Sequence, residues 1–271
     1  MTWLWILLAL LLLVLVGWVY LIAPGRKAKH IADFIRPYAH RGLWGGEIPE
    51  NSLAAFARAA EQGYAIELDV QLSADGEVMV FHDYTLDRMC GVQGKLSERT
   101  ASELSALSLQ GTSETIPTLR QVLEVVAGRV PLLVELKGES TQNGVCAPVA
   151  VLLDAYTGAY CVESFNPILL GWWKKNRPQV VRGLLVTDLL RSKREGSRVQ
   201  NIALTLRLLN FLCRPQFLAW DLKWKHRLAD LALLRVFGVA SFCFTAQDMD
   251  TYARMLDAGT APIFDSIDEL K

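Results

Sequence analysis

The sequence AIELDVQLSADGEVMVFHD, residues 65–83, decides the fold of this chain. Its first part, residues 65–72, is an apolar run of strand length with carboxylates two positions apart at Glu67 and Asp69, so both point to one face. The turn signal from Ser73 to Gly76 is too short for a helical crossover, and residues 77–82 are therefore predicted to return as a hairpin strand. In the rest of the chain, strand-like and helical patterns alternate regularly.

Apolar, strand-like runs alternate with helical patterns along the rest of the chain, which predicts a parallel sheet covered by helices. About eight such units in roughly 240 residues match the size of an α/β fold of the (β/α)₈ TIM-barrel type, with the hairpin as an insertion after the second strand. Asn51 or Ser52 is predicted to cap the first helix and Gly63 to end it. The eight predicted strands span residues 37–40, 65–72, 130–137, 159–165, 181–187, 217–221, 240–245 and 261–264.

The N-terminal segment is apolar and long enough to cross a membrane. No charged residue occurs from Trp3 to Ala23, and a helix of that length is about 30 Å long, the thickness of the hydrocarbon core. Cations follow at once at Arg26, Lys27 and Lys29, which predicts a cytoplasmic C-terminal side. We therefore expect a single-pass anchor at residues 1–24, a basic linker at 25–34 and a cytoplasmic barrel domain at 35–271.

A cleaved signal peptide is the alternative interpretation of the same segment. Against it, Met1-Thr2 carries no side-chain cation, the apolar run exceeds ~15 residues, and no small-x-small cleavage site follows. The formal net charge of the chain is zero, which gives no indication of nucleic acid as a partner. The five cysteines are scattered singly along the sequence. The cysteine pattern suits a reducing compartment.

Three carboxylates lie inside apolar strands, Glu67 and Asp69 on the second and Glu135 on the next barrel strand, where Lys137 shares its face. Buried carboxylates are costly without a cation, and an acid cluster without cysteine favours Mg²⁺ or Ca²⁺ over zinc. The alternative is a structural network of carboxylates with Lys137.

Two histidines end strands beside polar partners, His40 before Arg41 and His82 before Asp83. Such a pair can supply a general base and a general acid near neutral pH, although a lone histidine at such a place is more often a structural residue. Arg41 and Lys137 are candidate phosphate ligands. Their alternative is structural pairing with Glu50 or Glu135.

These motifs together resemble the glycerophosphodiester phosphodiesterases, a family of PLC-like phosphodiesterase barrels. The resemblance rests on His40-Arg41-Gly42, on Pro-Glu-Asn-Ser-x-x-Ala-Phe at 49–56, on Glu-x-Asp-Val at 67–70, on Asp-Gly-x-Val-x-Val-x-His-Asp at 75–83, on Ile-Pro-Thr-Leu at 116–119 and on Glu-x-Lys at 135–137. The resemblance is weaker later in the chain. Ser164-Phe165 matches the family, whereas the family's Trp-Thr-Val-Asn is replaced here by Phe244-Thr245-Ala246-Gln247. The family's closing Gly-x-Asp-Gly-Ile-x-Thr-Asp is matched only in part at residues 259–266.

The resemblance implies a set of roles for the quoted residues. The metal would be held by Glu67, Asp69 and Glu135, acid and base catalysis would come from His40 and His82, and phosphate contacts from Arg41 and Lys137. Glu50 and Asn51 would lie beside the metal site or orient the first loop. The region from Asp83 to Ile116 would cover the mouth of the barrel.

The expected function is hydrolysis of glycerophosphodiesters to glycerol 3-phosphate and an alcohol by a membrane-anchored, metal-dependent enzyme. One alternative is the same chemistry on lysophospholipids, and another is a catalytically inactive binding or scaffold protein on this barrel. A further hypothesis concerns residues 191–215, where Arg191, Lys193, Arg194 and Arg198 precede an apolar helical pattern that would suit an anionic membrane surface.

Overall fold

The computed structural model describes residues 2–138, 144–191 and 197–265 of the chain. Eight parallel strands close into a barrel and a ninth strand pairs antiparallel outside it, which confirms the predicted fold. The order around the barrel is β1, β9, β8, β7, β6, β5, β4, β2, with β3 beside β2. The strands are β1 (Tyr38–Ala39), β2 (Ala65–Leu72), β3 (Val78–Val80), β4 (Leu132–Leu136), β5 (Tyr160–Ser164), β6 (Arg182–Val186), β7 (Phe217–Asp221), β8 (Ala240–Ala246) and β9 (Ala261–Phe264).

Helices connect the strands on the outside of the barrel. Ser52 caps the first of the barrel helices, where its hydroxyl accepts a hydrogen bond from the Ala55 N–H at 3.1 Å. The helices are α1 (Thr2–Ile22), α2 (Leu53–Glu61), α3 (Asp87–Cys90), α4 (Ala101–Leu104), α5 (Leu119–Val126), α6 (Cys146–Asp154), α7 (Pro167–Asn176), α8 (Arg198–Thr205), α9 (Asn210–Cys213), α10 (Leu228–Leu231) and α11 (Met249–Asp257), with shorter helical turns at Ile31–Phe34, Leu96–Glu98 and Ala232–Val236.

The interior of the barrel is apolar at the end where the strands begin. Phe217 and Phe242 stack there with ring centroids 4.2 Å apart, and Tyr38 packs on Phe242 at 5.7 Å. Gly183 leaves room for this layer, because a Cβ there would lie 1.9 Å from the ring of Phe217. The polar side chains of the interior are thereby confined to the opposite end, where the strands finish.

A second apolar core lies between the strands and the outer helices. Ile66, Leu68 and Val70 of β2 belong to it, which explains why they alternate with the carboxylates of the same strand. Trp173 of α7 is fully buried in this core and Trp172 packs against it. The burial of Trp173 assigns this side chain to packing between the strands and the helices.

The N-terminal helix α1 is tied to the barrel by its C-terminal end. The Asn210 side chain donates to the Ile22 carbonyl at 3.1 Å, and Arg214 donates to the carbonyls of Tyr20 and Ala23 at 2.8 and 2.9 Å. Carbonyls at a helix end lack partners within the helix, so these contacts satisfy groups that otherwise need water. Downstream, Ile31 and Phe34 are buried against the apolar floor of the barrel, within the segment predicted as a linker.

The segment predicted to face a membrane contains two helices rather than one. α8 exposes Val199 and Ile202, and Leu206 directly after it is exposed as well, whereas Asn210 is buried in α9, where it holds the end of α1. This explains why a polar residue interrupts the apolar pattern. Lys193 and Arg194, part of the same hypothesis, lie outside the described residues.

Candidate active site

Three carboxylates meet at the end of the barrel where the strands finish. Asp69 of β2 lies in register with Glu135 of β4, and Glu67 points inward from the same strand as Asp69. Oxygens of the three residues lie within 4.8 Å of one another, and the side chains are almost fully buried. The strand register therefore builds the predicted cluster from two neighbouring strands.

Lys137 lies between two members of this cluster. Its Nζ is 2.8 Å from Asp69 Oδ1 and 2.8 Å from Glu135 Oε1. Burial alone would lower the pKa of Lys137, but the two carboxylates outweigh it and the pKa lies above its ordinary value. Burial would likewise raise the pKa of Asp69, yet Lys137 and its other cationic neighbours hold it well below its usual range. The structural network considered from the sequence is thus present.

The cluster still carries more negative charge than Lys137 can neutralise. Burial, followed by repulsion from Asp69 and Glu135, raises the pKa of Glu67 well above its ordinary value. The donors are all carboxylate oxygens, which hard cations such as Mg²⁺ and Ca²⁺ prefer. The charge and the donor chemistry of the cluster therefore fit a divalent ion.

The loop after β1 donates hydrogen bonds to this cluster. Arg41 adopts a left-handed conformation with φ of 59°, and its backbone N–H donates to Glu67 Oε2 at 2.9 Å. Gly42 follows with φ of 82°, and a Cβ on it would lie 2.8 Å from Ala55, which explains the glycine of the His-Arg-Gly motif. Asn51 is also left-handed, and its side chain donates to Asp69 Oδ2 at 3.0 Å.

His40 is held by a carboxylate from the far end of the chain. Its Nδ1 lies 2.7 Å from Asp265 Oδ1, just after β9. Burial lowers the pKa of His40, although Asp265 opposes this shift. The Nδ1 of His40 is thus engaged by Asp265, which leaves Nε2 as the ring nitrogen that can take part in proton transfer.

His82 is hydrogen-bonded to a chain of polar and charged side chains that crosses the site. His82 Nδ1 lies 2.6 Å from Asp83 Oδ1, and Arg88 donates to both oxygens of Asp83. Arg88 also donates to Glu50 at 2.6 Å, and Glu50 accepts from Arg41 at 2.8 Å. Burial alone would raise the pKa of Glu50, but the two guanidinium groups lower it. Arg88 thus connects the loop of His40 with the loop of His82.

The insertion after His82 packs around a small apolar core that it shares with β3. This core anchors the short helix α3, which presents Arg88 to the site, while Tyr84 lines the same cavity as Glu135 and Lys137. The insertion therefore lies at the mouth of the barrel, as expected. The core contains Met79, Phe81, Leu86, Met89, Leu96, Leu104, Leu109 and Ile116.

The model of the glycerophosphoryl diester phosphodiesterase family matches residues 40–269, which include every residue of this site. The chain belongs to this family. The resemblance found in the short motifs is thereby confirmed, and the match extends through the later strands, where those motifs are weak.

Relatives and solved structures agree with the family. A glycerophosphodiester phosphodiesterase of Caldanaerobacter subterraneus is 35% identical over 158 residues, 54% of this chain and 65% of that protein. Glycerophosphodiester phosphodiesterase 1 of Bos taurus is 33% identical over 130 residues, 43% of this chain and 39% of that protein. The chain thus spans less than two thirds of the length of these relatives.

Two solved structures resemble the whole barrel. A phosphodiesterase of Oleispira antarctica, in complex with the product sn-glycerol-3-phosphate, superposes with a TM-score of 0.69 at 26% identity, covering 85% of this chain and 92% of that chain. A glycerophosphodiester phosphodiesterase of Thermotoga maritima gives a TM-score of 0.65 at 27% identity, covering 87% and 95%.

Three residues near the site were missed by sequence reasoning. Asp265 is hydrogen-bonded to His40, and Arg88 holds Asp83, the carboxylate partner of His82. Glu163 of β5 lies in register with Glu135 and is fully buried, and its Oε2 has no hydrogen-bond partner among the described residues. Burial, together with repulsion from Glu135 and Asp69, raises the pKa of Glu163 well above its ordinary value. Alternation along β5 was the available signal for Glu163.

Proposed function

We propose that this chain is a metal-dependent phosphodiesterase that hydrolyses glycerophosphodiesters to glycerol 3-phosphate and an alcohol. The observation that carries the proposal is the buried carboxylate triad, flanked by two histidines that each have a carboxylate partner. The similarity to the Oleispira antarctica phosphodiesterase, whose structure contains sn-glycerol-3-phosphate, supports the substrate class.

Glu67, Asp69 and Glu135 would hold Mg²⁺ or Ca²⁺. When bound, such an ion supplies Lewis-acid stabilisation of the charge on the phosphoryl oxygens. Asn51 orients Asp69 through its hydrogen bond, and Glu50 orients Arg41, so these two residues would act beside the metal rather than on it.

His40 and His82 would move the protons of the reaction. Each Nδ1 is occupied by a carboxylate, which fixes the ring and leaves Nε2 to face the substrate. One histidine would accept the proton of the nucleophile, and the other would donate a proton to the leaving oxygen.

Arg41 and Lys137 would contact the phosphate. Both are engaged with carboxylates, yet both retain donors: an ammonium group has three, and two are used by Asp69 and Glu135. Arg41 Nε is buried, 3.7 Å from Asp69 Oδ2, and donates no hydrogen bond to any described residue.

The helix α1 would anchor the barrel to a membrane, with the barrel in the cytoplasm. It is long and apolar enough to span, and Arg26, Lys27 and Lys29 follow it. Its C-terminal carbonyls bond to Asn210 and Arg214, contacts that a cleaved signal sequence would not retain. A reporter that is active only in the cytoplasm, fused to Lys271, should be active; a silent one beside an active exported reporter would reverse the topology.

Release of glycerol 3-phosphate from glycerophosphocholine tests the catalytic proposal. The purified full chain in detergent should be inactive in a chelator and regain activity with Mg²⁺ or Ca²⁺. Turnover that persists after complete chelation would refute metal dependence. Absence of turnover on a panel of glycerophosphodiesters with either ion would favour the binding or scaffold alternative.

A further inference from the structure

Gln71 continues the row of polar side chains on one face of β2. It follows Glu67 and Asp69 at the same spacing of two residues, so the three side chains share a face of the strand. Gln71 is buried, with only 5% of the residue exposed. A buried amide has to find its hydrogen-bond partners inside the protein. The partners of Gln71 lie next to His82.

The Gln71 side chain bonds to the backbone on both sides of His82. Its Nε2 donates to the Phe81 carbonyl at 2.8 Å and to the Asp83 carbonyl at 2.8 Å. Carbonyl oxygens only accept hydrogen bonds, so the amide presents its NH₂ group to them, and both hydrogens of that group are used. One side chain therefore clamps the backbone that carries His82.

Strand pairing does not hold this segment. β3 ends at Val80, and the next backbone bond to β2 runs from the Phe81 N–H to the Asp69 carbonyl at 2.9 Å. Past that bond, the described backbone offers no donor to the carbonyls of Phe81 and Asp83. The amide of Gln71 thus supplies the hydrogen bonds that the sheet no longer provides.

The conformation of this segment decides how His82 meets its carboxylate. His82 Nδ1 lies 2.6 Å from Oδ1 of the adjacent residue, Asp83. Adjacent side chains of an extended strand point to opposite faces, so this contact needs a bent backbone. Arg88 holds the side chain of Asp83, whereas Gln71 holds the backbone at the bend.

We propose that Gln71 is a positioning residue for His82, which fixes the bend at residues 81–83 and thereby the direction of the imidazole. The inference rests on the proposed function, in which His82 moves a proton, and it adds a residue to that function. Gln71 lies outside the carboxylate triad. Loss of its two hydrogen bonds should therefore affect proton transfer by His82 and leave metal binding intact.

Gln71→Met tests this role, because it removes both donors and keeps a side chain of similar length. In the full chain in detergent, kcat for glycerophosphocholine should fall about 10–100-fold, while KM and the calorimetric Mg²⁺ affinity stay within about twofold. Ser73→Ala is the matched control, since it removes hydrogen bonds at the turn of the same hairpin and none at residues 81–83; its kcat should stay within about twofold. An unchanged kcat in Gln71→Met, or an equal loss in Ser73→Ala, would overturn the inference.

A double-mutant cycle shows whether Gln71 acts through His82. In the His82→Ala background, Gln71→Met should change kcat by less than about twofold, because the ring that it orients is gone. An equal loss with and without His82 would overturn the inference. If Gln71→Met does not fold, Gln71→Asn tests the same contacts: its amide is one methylene shorter and cannot reach both carbonyls, so kcat should fall at least about threefold, and an unchanged kcat would overturn the inference. An unmodified chain without turnover in either metal would refute the proposed function instead.

Discussion

Replacement of Glu67 by glutamine should stabilise the metal-free protein and abolish its response to metal. The substitution removes one charge and retains an oxygen that can accept the Arg41 N–H. Glu67 lies within 4.8 Å of both Asp69 and Glu135. At that separation each repulsion is worth about 3.5 kcal/mol for an effective dielectric constant of ~20, and Lys137 offsets part of it.

The stability that Glu67→Gln gains over the unmodified protein should depend on pH, because Glu67 binds a proton more tightly in the folded than in the unfolded state. The pKa of Glu67 is raised in the folded state, so the stability that its bound proton contributes is fully present below the unfolded pKa of about 4.3 and is lost as pH rises through the folded pKa. Each pH unit in that window costs the unmodified protein at most about 1.4 kcal/mol. The advantage of Glu67→Gln should therefore be under ~1 kcal/mol at pH 5 and should increase as the pH rises from 5 to 7.

Thermal unfolding of both proteins in the same detergent measures this difference in stability, since ~1 kcal/mol shifts Tm by about 2–4 °C in a domain of this size.

Saturating Mg²⁺ or Ca²⁺ at ~100 Kd should stabilise the unmodified protein by about 2.7 kcal/mol and leave the stability of Glu67→Gln unchanged. Glu163→Gln is the matched control, because Glu163 is equally buried but lies outside the triad; it should keep the metal response. A variant at Glu67 that is less stable at pH 7 without metal, or that keeps the metal-induced shift, would refute the reasoning.

Three further outcomes follow from the same geometry. His40→Ala and His82→Ala should each lower kcat by roughly 10²–10⁴ with little change in metal affinity by calorimetry; near-normal turnover on an alkyl ester would make that histidine structural. Arg88→Ala should lower kcat by about tenfold and shift the pH profile, because Arg88 holds the Asp83 partner of His82; equal profiles for Arg88→Ala and the unmodified enzyme would limit Arg88 to packing. The affinity for Mg²⁺, measured by calorimetry, should rise with pH as Glu67 releases its proton, and the heat of binding should depend on the buffer that takes up this proton; an affinity that does not change with pH contradicts this assignment.

The barrel could be predicted because parallel strands are buried on both faces and stand out as short apolar runs. The carboxylates could be predicted for the complementary reason. Glu67, Asp69 and Glu135 interrupt runs that are otherwise apolar, and buried charges need a cation. The hairpin followed from a turn too short for any crossover. In each case the decisive information lies within about ten neighbouring residues.

The partners of the two histidines illustrate what local patterns cannot supply. Asp265 is 225 residues from His40 in sequence, and it reaches His40 because β9 pairs with β1 when the barrel closes. Around Asp265 the family motif is only loosely present, so nothing local marked it. Arg88 lies on a helix of four residues in the insertion, where a cation is usually a solvated surface group.

The hydrogen bonds between α1 and the barrel could not be predicted from the sequence for a related reason. Asn210 is a polar break in an apolar pattern, and Arg214 is one cation among several in its region; each becomes meaningful only when the carbonyls at the end of α1 lie beside them. These bonds fix the end of α1 against α9, whose Leu212 lines the same cavity as Glu135 and Lys137. A flexible linker after the apolar helix would have allowed the barrel to turn freely relative to a membrane. The observed contacts instead couple the direction of α1 to the position of the barrel.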